Sequence, residues 1–230
     1  MDDPSIRRVG TLASFGVALA YLITGISAVL MPPELQGRPE IGPHEFWTVL
    51  SQHPTAHLTY HWAWVIAGFF GLAAVPAISL LVWSVQRGAA LWSGLAAFLG
   101  FGVMARSHLM EVAWDRKIIP VYQGADPAFQ QAVHVVAGLA LDVPDGVLTY
   151  GAVGVWVAVT SFLGLRGRTI PAAFAYLGFA TAAALLSGVV GYGLLLRPFL
   201  VVAVGVGGFL LVPGWFGWAG LLLRRSGPSG

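Results

Sequence analysis

Residues 57–83 read HLTYHWAWVIAGFFGLAAVPAISLLVW, with no Asp, Glu, Lys or Arg anywhere in the run. At about 1.5 Å of rise per helical residue, the run is long enough to cross roughly 30 Å of hydrocarbon. A backbone in lipid has to satisfy its own hydrogen bonds, so an uninterrupted apolar run of this length reads as a transmembrane helix. Its first turns carry His57 and His61. One stretch thus sets both the solvent of the protein and the place to look for a site.

Five more runs of the same kind lie on either side, at about 9–31, 89–109, 146–165, 170–194 and 199–223. Between them they occupy most of the 230 residues, and no polar stretch is long enough to form a second domain. The expected architecture is all-α: one polytopic six-helix membrane bundle spanning residues 1–230. Composition agrees. Hydrophobic residues are 57% of the chain and charged residues only 10%, against about a quarter charged in soluble domains. The mean hydropathy is +0.78. A net charge of +2 with no Lys/Arg run excludes nucleic acid as a partner. The absence of Cys excludes disulfides, thiolate metal sites and Cys nucleophiles. The thirty glycines suit helices that approach each other closely in lipid.

The connections are short. Arg7-Arg8 before the first run prompts a check for a signal peptide, but no small-residue cleavage site follows, so the run is kept as a helix. Pro43 to Gln52 (PHEFWTVLSQ) has the pattern of a short amphipathic surface helix. Span three can continue outward through Asp115, followed by a polar loop, RKIIPVYQGADP. Residues 128–141 read as an interfacial or re-entrant helix between spans three and four, ended by the break Asp142-Val-Pro-Asp145. As helix caps these two aspartates carry no chemistry. In a continuous helix they would be buried acids in need of a partner, for which Arg106 is the candidate.

Cations orient the spans. Arg7, Arg8, Arg87, Arg166, Arg168, Arg224 and Arg225 fall on one side, directly at helix ends. Both termini are therefore expected in the cytoplasm of a bacterial cell, with the chain in the inner membrane.

Threading the chain in this way gathers His57, His61, His108, Glu111, Asp115, His134, Asp142 and Asp145 near the opposite face. His57 and His61 share one helix face at i, i+4, and His108 and Glu111 pair at i, i+3 with Asp115 a turn further on. Imidazole and carboxylate together suit Zn, Fe, Cu or Mn without selecting one. The metal-ligand candidates are His57, His61, His108, Glu111, Asp115 and His134. Haem b is a second form of the idea, with axial ligands drawn from His61, His108 and His134. A third is a metal-dependent lipid hydrolase using the Ser107-His108 pair and Asp142, although the motif order of the membrane lipid amide hydrolases is absent. The plainer reading stays open beside these, since His, Trp and Tyr are at home in an interfacial belt. Trp47, Tyr60, Trp62, Trp64, Trp114 and Tyr122 would belong to it. A non-catalytic accessory subunit of a larger membrane complex is the alternative from another functional class.

Two stretches carry a family resemblance: GTLASFGVALAYLITGISAVL in the first span, and LALDVPDGVLTYGAVGVWVAVTSFLGLRGRTIPAAFAYLGFATAAALL across spans four and five. Both are similar to the DUF4386-like proteins, a bacterial family of multi-spanning membrane proteins. The resemblance implies a helical membrane fold and no established activity. It does not extend to HLTYH or SHLMEVAWD.

Overall fold

The apolar runs are helices in a computed structural model, which describes residues 4–35, 42–141, 144–194 and 196–225, and leaves out the side chains of 43, 134, 136–141, 144, 145, 192 and 197. In chain order the helices are α1 (Pro4–Leu30), α2 (Pro43–Gln52), α3 (Pro54–Leu80), α4 (Arg87–Tyr122), α5 (Pro127–Leu141), α6 (Pro144–Gly167), α7 (Ala172–Leu194) and α8 (Pro198–Arg225). Six of them are long and apolar enough to cross a membrane, namely all but α2 and α5. No strand occurs among the described residues.

The six spans form a closed ring. Each packs on its neighbour in the order α1, α3, α4, α6, α7, α8, and α8 returns to α1. Apolar helices in lipid gain nothing from water exclusion, so close packing and buried hydrogen bonds must hold such a ring. Its centre is aromatic: Phe101, Trp156, Phe174, Trp215 and Phe216 are fully buried. Phe174 stacks on Trp215 with ring centroids 5.3 Å apart. The Trp156 indole N–H donates to Ser79 Oγ at 3.0 Å, tying α6 to α3.

Glycine sets the spacing where it counts for the site. A Cβ built on Gly68 would fall 2.7 Å from Ala105 Cβ and 2.8 Å from the Phe101 carbonyl oxygen. At that point α3 and α4 touch backbone to backbone. Gly191 makes a similar approach to the Leu200 backbone, Gly154 and Gly188 sit against side chains of neighbouring helices, and Gly217 faces open space.

Three departures from the sequence reading have physical causes. The stretch expected to be a polar loop after Asp115 is helical as far as Tyr122, because Ile118 and Tyr122 are buried against Trp47 and Leu50 of α2. Trp47, Trp64 and Tyr122, read from the sequence as belt residues, are buried inside the protein, whereas Trp62 is exposed. Within α8, residues Val202–Leu211 are wound as a π-helix, and the Val212 N–H reaches back to the Gly207 carbonyl. Pro213 follows directly, and it can neither donate to Phe209 nor sit comfortably over that carbonyl in a tight turn, so a wider helix relieves it.

The short helices come out as expected. Helix α2 has the bounds read from the sequence, with Pro43 in its first turn. Helix α5 is capped by Asp126, whose Oδ1 accepts from the Phe129 N–H at 2.8 Å. It packs on α2 and α4. Asp142 lies outside the described residues, as does the side chain of Asp145. Arg106 is exposed on α4.

Candidate metal centre

The site is built where the first turns of α3 meet the C-terminal half of α4. Pro54 starts α3, leaving His53 exposed as its cap, so the helical row begins at His57 and continues through His61 to Trp64. Residues at this spacing stack along one helix face, and the Gly68–Ala105 approach presses that face against α4. Helix α4 answers with His108, Glu111 and Asp115, which repeat at intervals of three and four and so face back toward α3.

The contacts are close. His57, His61 and Glu111 each present a ligand atom within 4.8 Å of the others, so this group could hold a metal ion. His57 Nε2 lies 3.2 Å from Asp115 Oδ2, within ion-pair range. That contact is not oriented as a hydrogen bond, and both ring nitrogens of His57 and Asp115 Oδ2 are buried without a hydrogen-bond partner. His61 Nδ1 and His108 Nδ1 are 2.9 Å apart, so one ring donates and the other accepts. His57, His61 and Asp115 are only 5%, 7% and 3% exposed.

Aromatic rings wall the cluster. Trp64 stacks on His108 at 5.4 Å with an interplanar angle of 9°, and Tyr21 of α1 packs edge-on against Trp64 at 4.8 Å. Phe46 of α2 meets His57 edge-on at 5.8 Å. These rings keep water from the imidazoles and strengthen every electrostatic interaction among them. On its remaining side the cluster borders a cleft of about 650 Å³, lined by His57, Tyr60 and His61 together with residues of α1 and α8.

Of the residues singled out from sequence, His57, His61 and Glu111 form the central group, Asp115 joins it through His57, and His108 through His61. His134 belongs to α5, but its side chain lies outside the described residues. The direct His61–His108 contact does not fit haem. Axial imidazoles stand on opposite sides of the porphyrin, each about 2 Å from the metal, whereas here the ring centroids are 5.1 Å apart and the two nitrogens face each other. Ser107 bonds back to the Val103 carbonyl at 2.9 Å, as helical serines do.

Sequence reading assigned Trp64 and Tyr60 to a membrane belt and missed them as walls of the site. Trp64 follows His61 at i+3, and that spacing was the available signal. No protein-family model, curated protein or solved structure matches the chain.

Proposed function

We propose that this multi-pass membrane protein binds a divalent transition-metal ion between α3 and α4. His57, His61 and Glu111 are the ligands. Asp115 steers His57 and His108 steers His61, the outer partners that ligating histidines usually have. The observation that carries the reading is the convergence of three ligand groups within 4.8 Å around a buried imidazole with no hydrogen bond at either nitrogen. Burying hydrogen-bonding atoms without a hydrogen bond costs free energy even beside the Asp115 carboxylate, and a metal ion offsets that cost. Charge supports the same reading. Two carboxylates, Glu111 and Asp115, balance one dication, leaving a neutral cluster in a medium where net charge is costly.

Two imidazoles and one carboxylate are the ligand count of open metal sites, which keep a position free for water or ligand, rather than of closed structural ones. We further propose that the site faces the exterior and both termini the cytoplasm, supported by the arginines at the opposite helix ends. Membership of the DUF4386-like family belongs to the same proposal and rests on the stretches quoted from spans one, four and five.

The test is elemental analysis of protein purified in mild detergent without chelators. Near-stoichiometric zinc, iron, manganese or copper is expected in the wild type, and loss of it in the His57→Ala/His61→Ala double variant. Metal-free wild type, or equal metal in both, would overturn the proposal.

A further inference from the structure

Beside the cluster, the cleft of about 650 Å³ runs between Ala28 and Val29 at the end of α1, His57 and His61 of α3, and Val204 and Phe209 of α8. Two properties separate it from a packing gap. First, its size falls in the range of about 300–1,000 Å³ typical of small-molecule sites. Second, among the described residues its polar lining is confined to one wall, on α3. There His57 is nine-tenths buried, borders the cleft and has no hydrogen-bond partner at either ring nitrogen.

The opposite side is apolar and reaches the surface. Val29 lines the cleft while 77% exposed, and Ile26 and Leu30 of the same helix are 61% and 71% exposed. In a membrane that surface meets acyl chains, so the cleft is entered from the hydrocarbon. Its α8 wall is the π-helical segment, a feature that recurs at functional sites. Phe209 closes it below by packing against Gly25, where an added Cβ would come within 3.0 Å of the ring.

We infer that this cleft binds a single-chain amphiphile, with its aliphatic part between α1 and α8 and an oxygen-bearing head group at His57 and His61. A volume of this size suits one chain rather than a two-chain phospholipid. Oxygen is the matching head-group atom because an imidazole N–H donates to it, and because metals held by histidine and carboxylate accept it. The inference rests on the metal reading only for what the head group meets; the cleft itself stands on its walls.

The experiment uses palmitic acid carrying a chain diazirine, photolysed with the full-length protein in phosphatidylcholine nanodiscs, with metal content measured on the same samples. Labelling is expected on peptides containing Val29 and Val204 and should be competed by unlabelled palmitate. Val204→Trp and Ala28→Phe, which fill the cleft from two different helices, should each lower it by about tenfold or more, as loss of a pocket's volume predicts. Leu95→Trp, on an exposed face of α4, should leave it unchanged. Labelling spread over exposed faces, insensitive to competitor and to both filling variants, would overturn the inference even if metal is present. Displacement by added phosphatidylcholine as readily as by palmitate would overturn the single-chain assignment. Specific labelling of metal-free wild type would sink the metal reading and leave the cleft standing.

Discussion

His57 has a carboxylate 3.2 Å from Nε2 and no hydrogen bond at either nitrogen, so its ring orientation depends on Asp115 and on the edge-on Phe46. Replacing Asp115 by Asn keeps the size and removes the charge. The expected result is metal binding weaker by about 10–100-fold, the usual cost of removing a ligand's outer partner, read by competition with a chromophoric chelator. An unchanged affinity would mean that Asp115 does not act on His57. Elsewhere the Trp156–Ser79 bond allows an independent check on packing. Ser79→Ala strands a buried indole N–H and should cost about 1 kcal/mol, seen as a lower unfolding midpoint with metal content intact. Much of the site was legible at this scale, because i, i+4 and i, i+3 spacings put His57 with His61 and His108 with Glu111. The cross-pairing was not. That His57 meets Asp115 and His61 meets His108 depends on the axial register of α3 against α4, which Gly68 and Ala105 set and no local pattern encodes.

Helix ends carry the next set of consequences. Helix α6 stops in a paired turn: the Thr169 N–H reaches the Gly164 carbonyl at 3.0 Å and the Arg168 N–H reaches Leu165 at 3.3 Å. This places Arg168 at a φ of 53°, a left-handed conformation that favours glycine. Arg168→Gly should therefore raise the thermal midpoint, by a stability gain of about 1 kcal/mol. No gain would mean that the guanidinium makes up for the backbone strain. In the middle of the ring, Gly68→Leu should do the reverse. It forces α3 off α4, costs at least about 1–3 kcal/mol, and lowers metal content along with stability, since the site depends on the same contact. The six spans and α2 were readable from hydropathy and proline placement. The last turns of α4 were not, because RKIIPVYQGADP is polar on average with a proline at 120, and its first part becomes helical through Ile118 and Tyr122 packing on α2. The π-helical turn of α8 likewise gave no sign beyond Pro213.

At the scale of the molecule, six helices long and apolar enough to cross a membrane would, if all cross, bring the start of α1 and the end of α8 to the same side. A chain free of cysteine makes this directly measurable, since each introduced thiol is the only one present. Ser5→Cys and Arg225→Cys should resist a membrane-impermeant maleimide in intact cells and react after permeabilisation, whereas Thr55→Cys should react from outside. Labelling of Ser5 and Arg225 from outside would invert the orientation and move the metal site to the cytoplasmic face. The ring closure between α1 and α8 has a further consequence, for synthesis. The ribosome releases α3 and α4 one after the other and well before α8, so the histidine–carboxylate cluster can assemble before α8 is made. The wall formed by Val204 and Phe209 arrives later, together with Trp215 and Phe216 for the aromatic centre. Until then α1 has no α8 to close against, and the nascent cleft is a furrow filled by whatever lipid surrounds the insertion machinery. Packing of α8 on α1 is thus the step that turns an open furrow into a walled cleft.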